Sequence, residues 1–160
     1  MNIEAVKIDM PEGCNLIFGM SHFIKTVEDL HELMVNSVPG VKFGVAFSEA
    51  SGDRLVRFSG NDNELATAAA QNLMKIASGH CFLIFMKNAF PVNILPALKN
   101  VYEIVNVFCA TANPVQALVV RTELGGGIIG VVDGEAPLGI EDDIARQKRH
   151  QFLRTIGYKQ

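Results

Sequence analysis

The chain changes from strand to helix within the segment Gly19-Met20-Ser21-His22-Phe23-Ile24-Lys25-Thr26-Val27-Glu28-Asp29-Leu30. The preceding residues, Asn15–Met20, are mostly apolar and predict a strand that leads into this segment. Thr26 is predicted to cap the helix, because its hydroxyl can accept hydrogen bonds from first-turn amides. A helix with one buried apolar face is predicted from the spacing of Val27, Leu30, Leu33 and Met34.

The residues at this strand-to-helix boundary predict a site that binds or transfers a phosphoryl group. His22 and Lys25 lie beside the expected helix N-terminus, where unpaired amides and the helix dipole favour an anion. An imidazole nitrogen can accept a phosphoryl group directly, and a lysine can balance its charge. The alternative interpretation is that His22 is a surface residue or a hydrogen-bonded core residue, and that Lys25 is a solvated surface lysine. His80 is the competing histidine, although it begins an apolar run that predicts a buried strand.

The composition indicates one globular domain over residues 1–160, with 49% apolar and 19% charged residues. Fourteen basic and 17 acidic side chains give a net charge of -3, which argues against nucleic-acid binding. We expect no membrane segment, because no signal-like start and no sufficiently long apolar run occurs. The three cysteines are far apart and form no CxxC pair, so a reducing cytoplasm is the expected location.

Strand-like and helix-like segments alternate, with consecutive strands late in the chain. We therefore predict an α/β fold, a single-domain mixed β-sheet with covering helices. The apolar runs His80–Met86 and Val101–Ala110 predict central strands covered on both faces. Helices are predicted at 26–37, 63–78, 93–100 and 140–156, the second capped by Asn or Asp. The last one is expected to bury Ile144, Phe152, Leu153 and Ile156.

Polar turns between these elements contain the groups that a nucleoside site requires. Amide side chains can read a base edge, carboxylates can accept hydrogen bonds from ribose hydroxyls, and arginine can hold a phosphate. Each such residue is also an ordinary turn residue, so turn formation is the competing interpretation. The candidates are Asn61 and Asn113, Glu49 and Asp62, Arg57, and Ser51 in the same turns.

The familiar phosphate-binding loops are missing from the sequence. Gly125-Gly126-Gly127 is not followed by Lys and Ser or Thr, and it leads into a predicted strand rather than a helix. No dedicated metal site is predicted. Mg²⁺ is expected only because phosphoryl transfer generally requires it.

Seven segments spread over nearly the whole chain resemble the adenosine-specific kinase family. They are His22–Leu30, Phe43–Gly52, Arg54–Asp62, Phe90–Asn93, Cys109–Pro114, Gly130–Gly134 and Phe152–Lys159.

This resemblance implies a compact α/β fold, a homotrimer or hexamer, and binding of adenosine or AMP. It also implies phosphotransfer from ATP or another phosphate donor through a phosphohistidine, which we assign to His22. The family pattern implies an arginine between glycines where this chain has Gly126. That departure, with the missing Walker loop, favours the alternative of a sensor that binds adenosine or AMP without turnover. A purely structural oligomer is the third interpretation.

Overall fold

The computed structural model describes residues 2–160, which form eight strands and four helices. No helix in this part of the chain is long and apolar enough to span a membrane. In chain order the elements are β1 (Asn2–Ile8), β2 (Asn15–Ser21), α1 (Thr26–Ser37), β3 (Lys42–Ser48), β4 (Val56–Gly60), α2 (Asn63–Ile76), β5 (Cys81–Lys87), α3 (Pro91–Leu98), β6 (Ile104–Thr111), β7 (Val115–Arg121), β8 (Gly126–Asp133) and α4 (Asp143–Thr155).

The α/β architecture with covering helices is confirmed, and the strands divide into two sheets. The larger sheet has the order β4-β3-β5-β2-β6 and the smaller one the order β1-β7-β8. Neighbouring strands are antiparallel in both sheets. As predicted, β5 is the central strand, and its residues 81–86 are all buried. The same prediction for Val101–Ala110 is wrong, because β6 is an edge strand with exposed positions such as Val105.

The core lies on both faces of the larger sheet, because successive strand residues point to opposite sides. Leu16 and Phe18 of β2 pack towards α2 and the smaller sheet, while Ile17 packs towards α1 and α3. Small residues let α2 lie very close to the sheet. A Cβ added to Gly44 of β3 would come within 2.1 Å of the Ala66 backbone nitrogen of α2.

The helix boundaries agree with the predictions to within a few residues. Asp62 caps α2, as predicted, by accepting a hydrogen bond of 3.1 Å from the Leu65 amide. Helix α3 begins at Pro91, because the fixed φ of proline suits a first helical turn. The burial expected for α4 is not found. None of its residues is buried, and Phe152 is 59% exposed.

Candidate functional site

The turn between β2 and α1 is held in place by hydrogen bonds of the residues at its two ends. The Thr26 hydroxyl is fully buried and donates to the Phe23 carbonyl at 2.5 Å, with the Ser21 hydroxyl 2.6 Å away. The predicted role of Thr26 as the helix cap is therefore wrong. Lys25 occupies the cap position without a side-chain hydrogen bond. Thr26 instead turns its hydroxyl back into the loop and fixes the loop beneath His22.

The unpaired amides of this turn follow His22 directly. The amides of Thr26, Val27 and Glu28 donate to the carbonyls of Phe23, Ile24 and Lys25. The amide of His22 donates to the Glu103 carbonyl at 2.8 Å. Within residues 2–160 the amides of residues 23–25 have no backbone acceptor. The expected unpaired amides of the first helical turn are therefore not found, because residues 26–28 donate to loop carbonyls. The three unpaired amides belong to the loop before α1, and consecutive loop amides of this kind can bind an anion.

The short connection between α2 and β5 brings a second histidine to the same place. The His80 amide donates to the Ser48 carbonyl, and the His80 carbonyl accepts from the Ser21 amide, both at 2.8 Å. These bonds join the ends of β2 and β3. The imidazoles of His22 and His80 consequently lie edge to face, with ring centroids 6.4 Å apart. The His80 ring also stacks on Phe47, with a centroid distance of 5.7 Å.

A pocket of about 330 Å³ opens between the two histidines and the turn after β3. No hydrogen bond formed among residues 2–160 uses a ring nitrogen of either histidine, whereas His31 is paired with Ser59. The structure thus brings together three predicted site residues, His22, Glu49 and Ser51. It adds His80, for which the sequence predicts the start of a buried strand. The lining residues are His22, Phe23, Ile24, Phe47, Glu49, Ala50, Ser51 and His80.

Lys25 is held by two carboxylates and is not an isolated cation. Its Nζ lies 2.5 Å from Asp29 Oδ2 and 3.1 Å from Glu103 Oε2. The hydrogen bond to Asp29, and next the pairing with Glu103, raise the pKa of Lys25 above its ordinary value. The Glu103 side chain is only 2% exposed, and ion pairing with Lys25 is its main compensation for burial. No local motif marked Glu103 in the sequence.

Arg57 is likewise paired with two carboxylates. Its Nη2 lies 3.0 Å from Glu49 Oε1 and 3.7 Å from Asp53 Oδ2. The other oxygen of Glu49 accepts from the Leu55 amide at 2.7 Å. This backbone bond, followed by the bond from Arg57, holds the pKa of Glu49 below its ordinary value.

A second groove of about 600 Å³ adjoins the histidine pocket, because Ile24 lines both. Lys25 and Arg57 line this groove, so the two predicted phosphate-binding cations face a common space. Its apolar wall includes Leu55 and Phe58, which are 51% and 54% exposed. The arrangement offers an apolar surface beside two cations, next to a pair of unbonded imidazoles.

The other three predicted binding residues are bonded to the protein itself. Asn61 accepts from the Phe43 amide at 2.9 Å and donates to the Val41 carbonyl at 2.8 Å. Asp62 is the cap of α2. Asn113 donates to Asp133 at 3.2 Å and lines a different pocket with Lys7. The structure does not bring Asn113 to the histidines, and nucleoside contacts by these residues stay a prediction.

Gly126 has a packing role that the sequence did not reveal. A Cβ at this position would lie 2.6 Å from both the Ala77 carbonyl oxygen and Arg121 Nη1. Arg121 Nη1 donates to the Ile76 and Ala77 carbonyls, at 2.7 and 3.0 Å, and so closes the end of α2. Ser78 donates to the Gly126 carbonyl at 2.7 Å. The backbone therefore has no room for an arginine at 126.

Comparison with known proteins agrees with this architecture. The family model described as adenosine specific kinase matches residues 6–159. The crystal structure of the PH1918 protein from Pyrococcus horikoshii OT3 is similar to this chain at 44% identity, with a TM-score of 0.95. The similarity covers 99% of this chain and 98% of that chain. No curated protein matches. Residues 2–160 contain no group of three or more His, Cys, Asp or Glu side chains arranged to hold a metal ion.

Proposed function

The chain belongs to the adenosine specific kinase family, and from this premise we propose that it is a phosphotransferase that binds adenosine or AMP and carries the phosphoryl group on His22. One observation carries the proposal: the imidazole of His22 lines a pocket without a hydrogen bond to its ring and is followed by three unpaired amides. A neutral imidazole nitrogen is a nucleophile towards phosphorus. The amides stabilise the negative charge on the transferred group.

The flanking residues have distinct roles in this proposal. The adenine ring lies against the exposed faces of Leu55 and Phe58 in the adjoining groove. Glu49 and Ser51 line the histidine pocket and are the proposed ribose contacts. Lys25 and Arg57 bind phosphate oxygens, and each then gives up one of its contacts with a carboxylate to contact the ligand.

A kinase requires a phosphate donor, and we propose ATP or a related nucleotide. The carboxylates of Asp29, Glu49, Asp53 and Glu103 outnumber the cations Lys25 and Arg57 around the two cavities. This negative surplus suits a donor that arrives as its Mg²⁺ complex, because the metal offsets the repulsion between triphosphate and carboxylates.

Transfer of labelled phosphate tests the assignment. Wild-type protein, His22→Ala and His150→Ala are incubated with ATP labelled at the γ-phosphate, and protein-bound label is measured before and after mild acid treatment. We expect acid-labile label on the wild type and on His150→Ala, whose histidine is exposed on α4, and none on His22→Ala. Equal labelling of all three proteins would remove His22 from the mechanism.

The pairing of both cations favours a second candidate, a sensor that holds adenosine or AMP without turnover. Lys25 and Arg57 each contact two carboxylates, which weakens the positive field available to a transferring phosphoryl group. A sensor predicts that AMP raises the melting temperature while prolonged incubation with ATP and adenosine yields no product. Product formation that depends on His22 would exclude it.

We further propose that the chain assembles into a homotrimer or hexamer. The segment before α4 exposes Leu138 and Ile140 almost completely, and α4 itself buries no residue. An isolated helix of 13 residues is marginal in water, so contact with another surface is needed to stabilise it. Light scattering during size-exclusion chromatography gives the assembly mass, and a monomer at micromolar concentration would refute the proposal.

A further inference from the structure

His80 adopts a left-handed backbone conformation, which is uncommon for a residue with a side chain. Its φ is +59°, in the left-handed region that glycine enters without strain. Hydrogen bonds at both of its backbone polar groups, to Ser48 and from Ser21, hold it there. A glycine would satisfy the same two bonds. Among the four non-glycine residues of residues 2–160 with a positive φ, His80 is the one that lines the histidine pocket, and unusual backbone conformations are frequent at functional sites.

The ring of His80 is oriented and accessible. Stacking on the buried side chain of Phe47 fixes its plane, with an interplanar angle of 29°. It stands at 89° to the His22 ring, and both rings line the same pocket. No hydrogen bond within the described chain occupies either of its ring nitrogens. A molecule bound in the pocket that both rings line would be in reach of a nucleophile and of a second imidazole.

The other ionisable groups of the pocket are poorly suited to accept a proton. Besides the two histidines, only Glu49 among the lining residues is ionisable. Glu49 receives hydrogen bonds from the Leu55 amide and Arg57, which hold its pKa below the ordinary value. A carboxylate stabilised in this way is a weak base. His22 is engaged as the phosphoryl carrier, which leaves His80.

We propose that His80 is the general base of the second transfer, in which the phosphoryl group passes from His22 to the acceptor hydroxyl of the nucleoside. The inference rests on the proposed function. In the first step a His22 nitrogen forms the bond to phosphorus, and the electron pair of the broken P–O bond stays on the nucleoside diphosphate. In the second step the hydroxyl oxygen bonds to phosphorus, its proton passes to a His80 nitrogen, and the P–N electron pair returns to His22. His80 then releases the proton to water.

The variant His80→Gly tests this role without adding strain. Glycine accepts the left-handed backbone, and the lost ring leaves space for free imidazole against Phe47. Phosphoprotein is prepared with labelled ATP, freed from nucleotide, and mixed with adenosine. We expect the first labelling step to stay within a few-fold of wild type, and transfer to adenosine to slow by roughly 100- to 10,000-fold. Added imidazole should restore much of the rate, and more basic imidazoles should restore more.

Asn88→Gly is the matched control, because Asn88 has a φ of +61° just after β5 and lies outside the pocket. It should transfer at the wild-type rate. His80→Asn is the second variant, since asparagine tolerates the left-handed region but supplies no base. This variant should transfer the phosphoryl group slowly, and added imidazole should not restore the rate.

The outcomes separate the two proposals. Unlabelled wild type would refute the proposed function. If the wild type is labelled and His80→Gly transfers the phosphoryl group at the normal rate, the general-base proposal alone is refuted. Slow transfer by His80→Gly that added imidazole does not restore would also refute it, because such a result indicates a structural role for His80. Label that persists on His22→Ala and disappears from His80→Gly would make His80 the carrier and overturn the base assignment.

Discussion

Gly126→Ala should destabilise the fold by about 1 kcal/mol, although the glycines on either side tolerate the same change. The new Cβ would lie 2.6 Å from the Ala77 carbonyl oxygen, which belongs to the closing turn of α2 and cannot withdraw alone. It would also press on Arg121 Nη1, which caps that turn. Overpacking of this kind costs about 1–3 kcal/mol. The reduced freedom of the unfolded chain offsets about 0.4–1 kcal/mol of that cost.

Gly125→Ala and Gly127→Ala are the matched controls. Neither position has an atom within 4 Å of an added Cβ, and neither has a positive φ. These variants should be neutral or more stable by up to about 1 kcal/mol. Urea unfolding followed by circular dichroism, at one fixed protein concentration, measures the free energy of unfolding of all three variants. If Gly126→Ala were as stable as Gly127→Ala, the account of Gly126 as a packing residue would be wrong.

Four further changes have definite expected results. Burial raises the pKa of Cys81 to about 11 and of Cys109 to about 12. Because the folded state then keeps protons that the unfolded state loses, the free energy of unfolding should decline as pH rises above about 9. A free energy of unfolding that does not decline above about pH 9 would contradict this. Asn61→Ala should lower stability by about 1–3 kcal/mol, measured by urea unfolding, because its amide joins two backbone groups. Asp62→Ala should cost about 1 kcal/mol through the lost cap of α2, again by urea unfolding. Leu138→Ser should reduce the assembly mass seen by light scattering while leaving circular dichroism unchanged, since this side chain has no contact within its own chain to lose.

Local patterns in the sequence predicted the elements whose formation depends on nearby residues. A continuous apolar run identified β5 as a central strand, and the Asp62 cap was predictable from the turn before α2. Two expectations failed because burial depends on distant neighbours. The apolar run that contains β6 lies at a sheet edge, and the apolar residues of α4 are left unburied in the single chain. Hydrophobicity indicates that a surface will be covered, but not which surface covers it.

The candidate site was predictable only in part. His22 was identified because it adjoins a helix start, and Glu49 and Ser51 because they lie in a polar turn. His80 joins them through backbone bonds between the ends of β2 and β3, which no local spacing reveals. Glu103 was missed for the same reason: its link to Lys25 spans 78 positions of the sequence. Asn113 was grouped with the site by residue type, but the chain carries it to a different pocket.

Mass spectrometry of tryptic peptides, kept at neutral pH after incubation with ATP, tests the central claim most directly. Cleavage after lysine and arginine places His22 alone among histidines in the peptide 8–25 and His80 alone in the peptide 76–87. The account predicts a phosphoryl group on the first peptide, lost after brief exposure to acid. A phosphoryl group on the second peptide, an acid-stable one on Ser51, or an unmodified protein that nevertheless phosphorylates adenosine would contradict it.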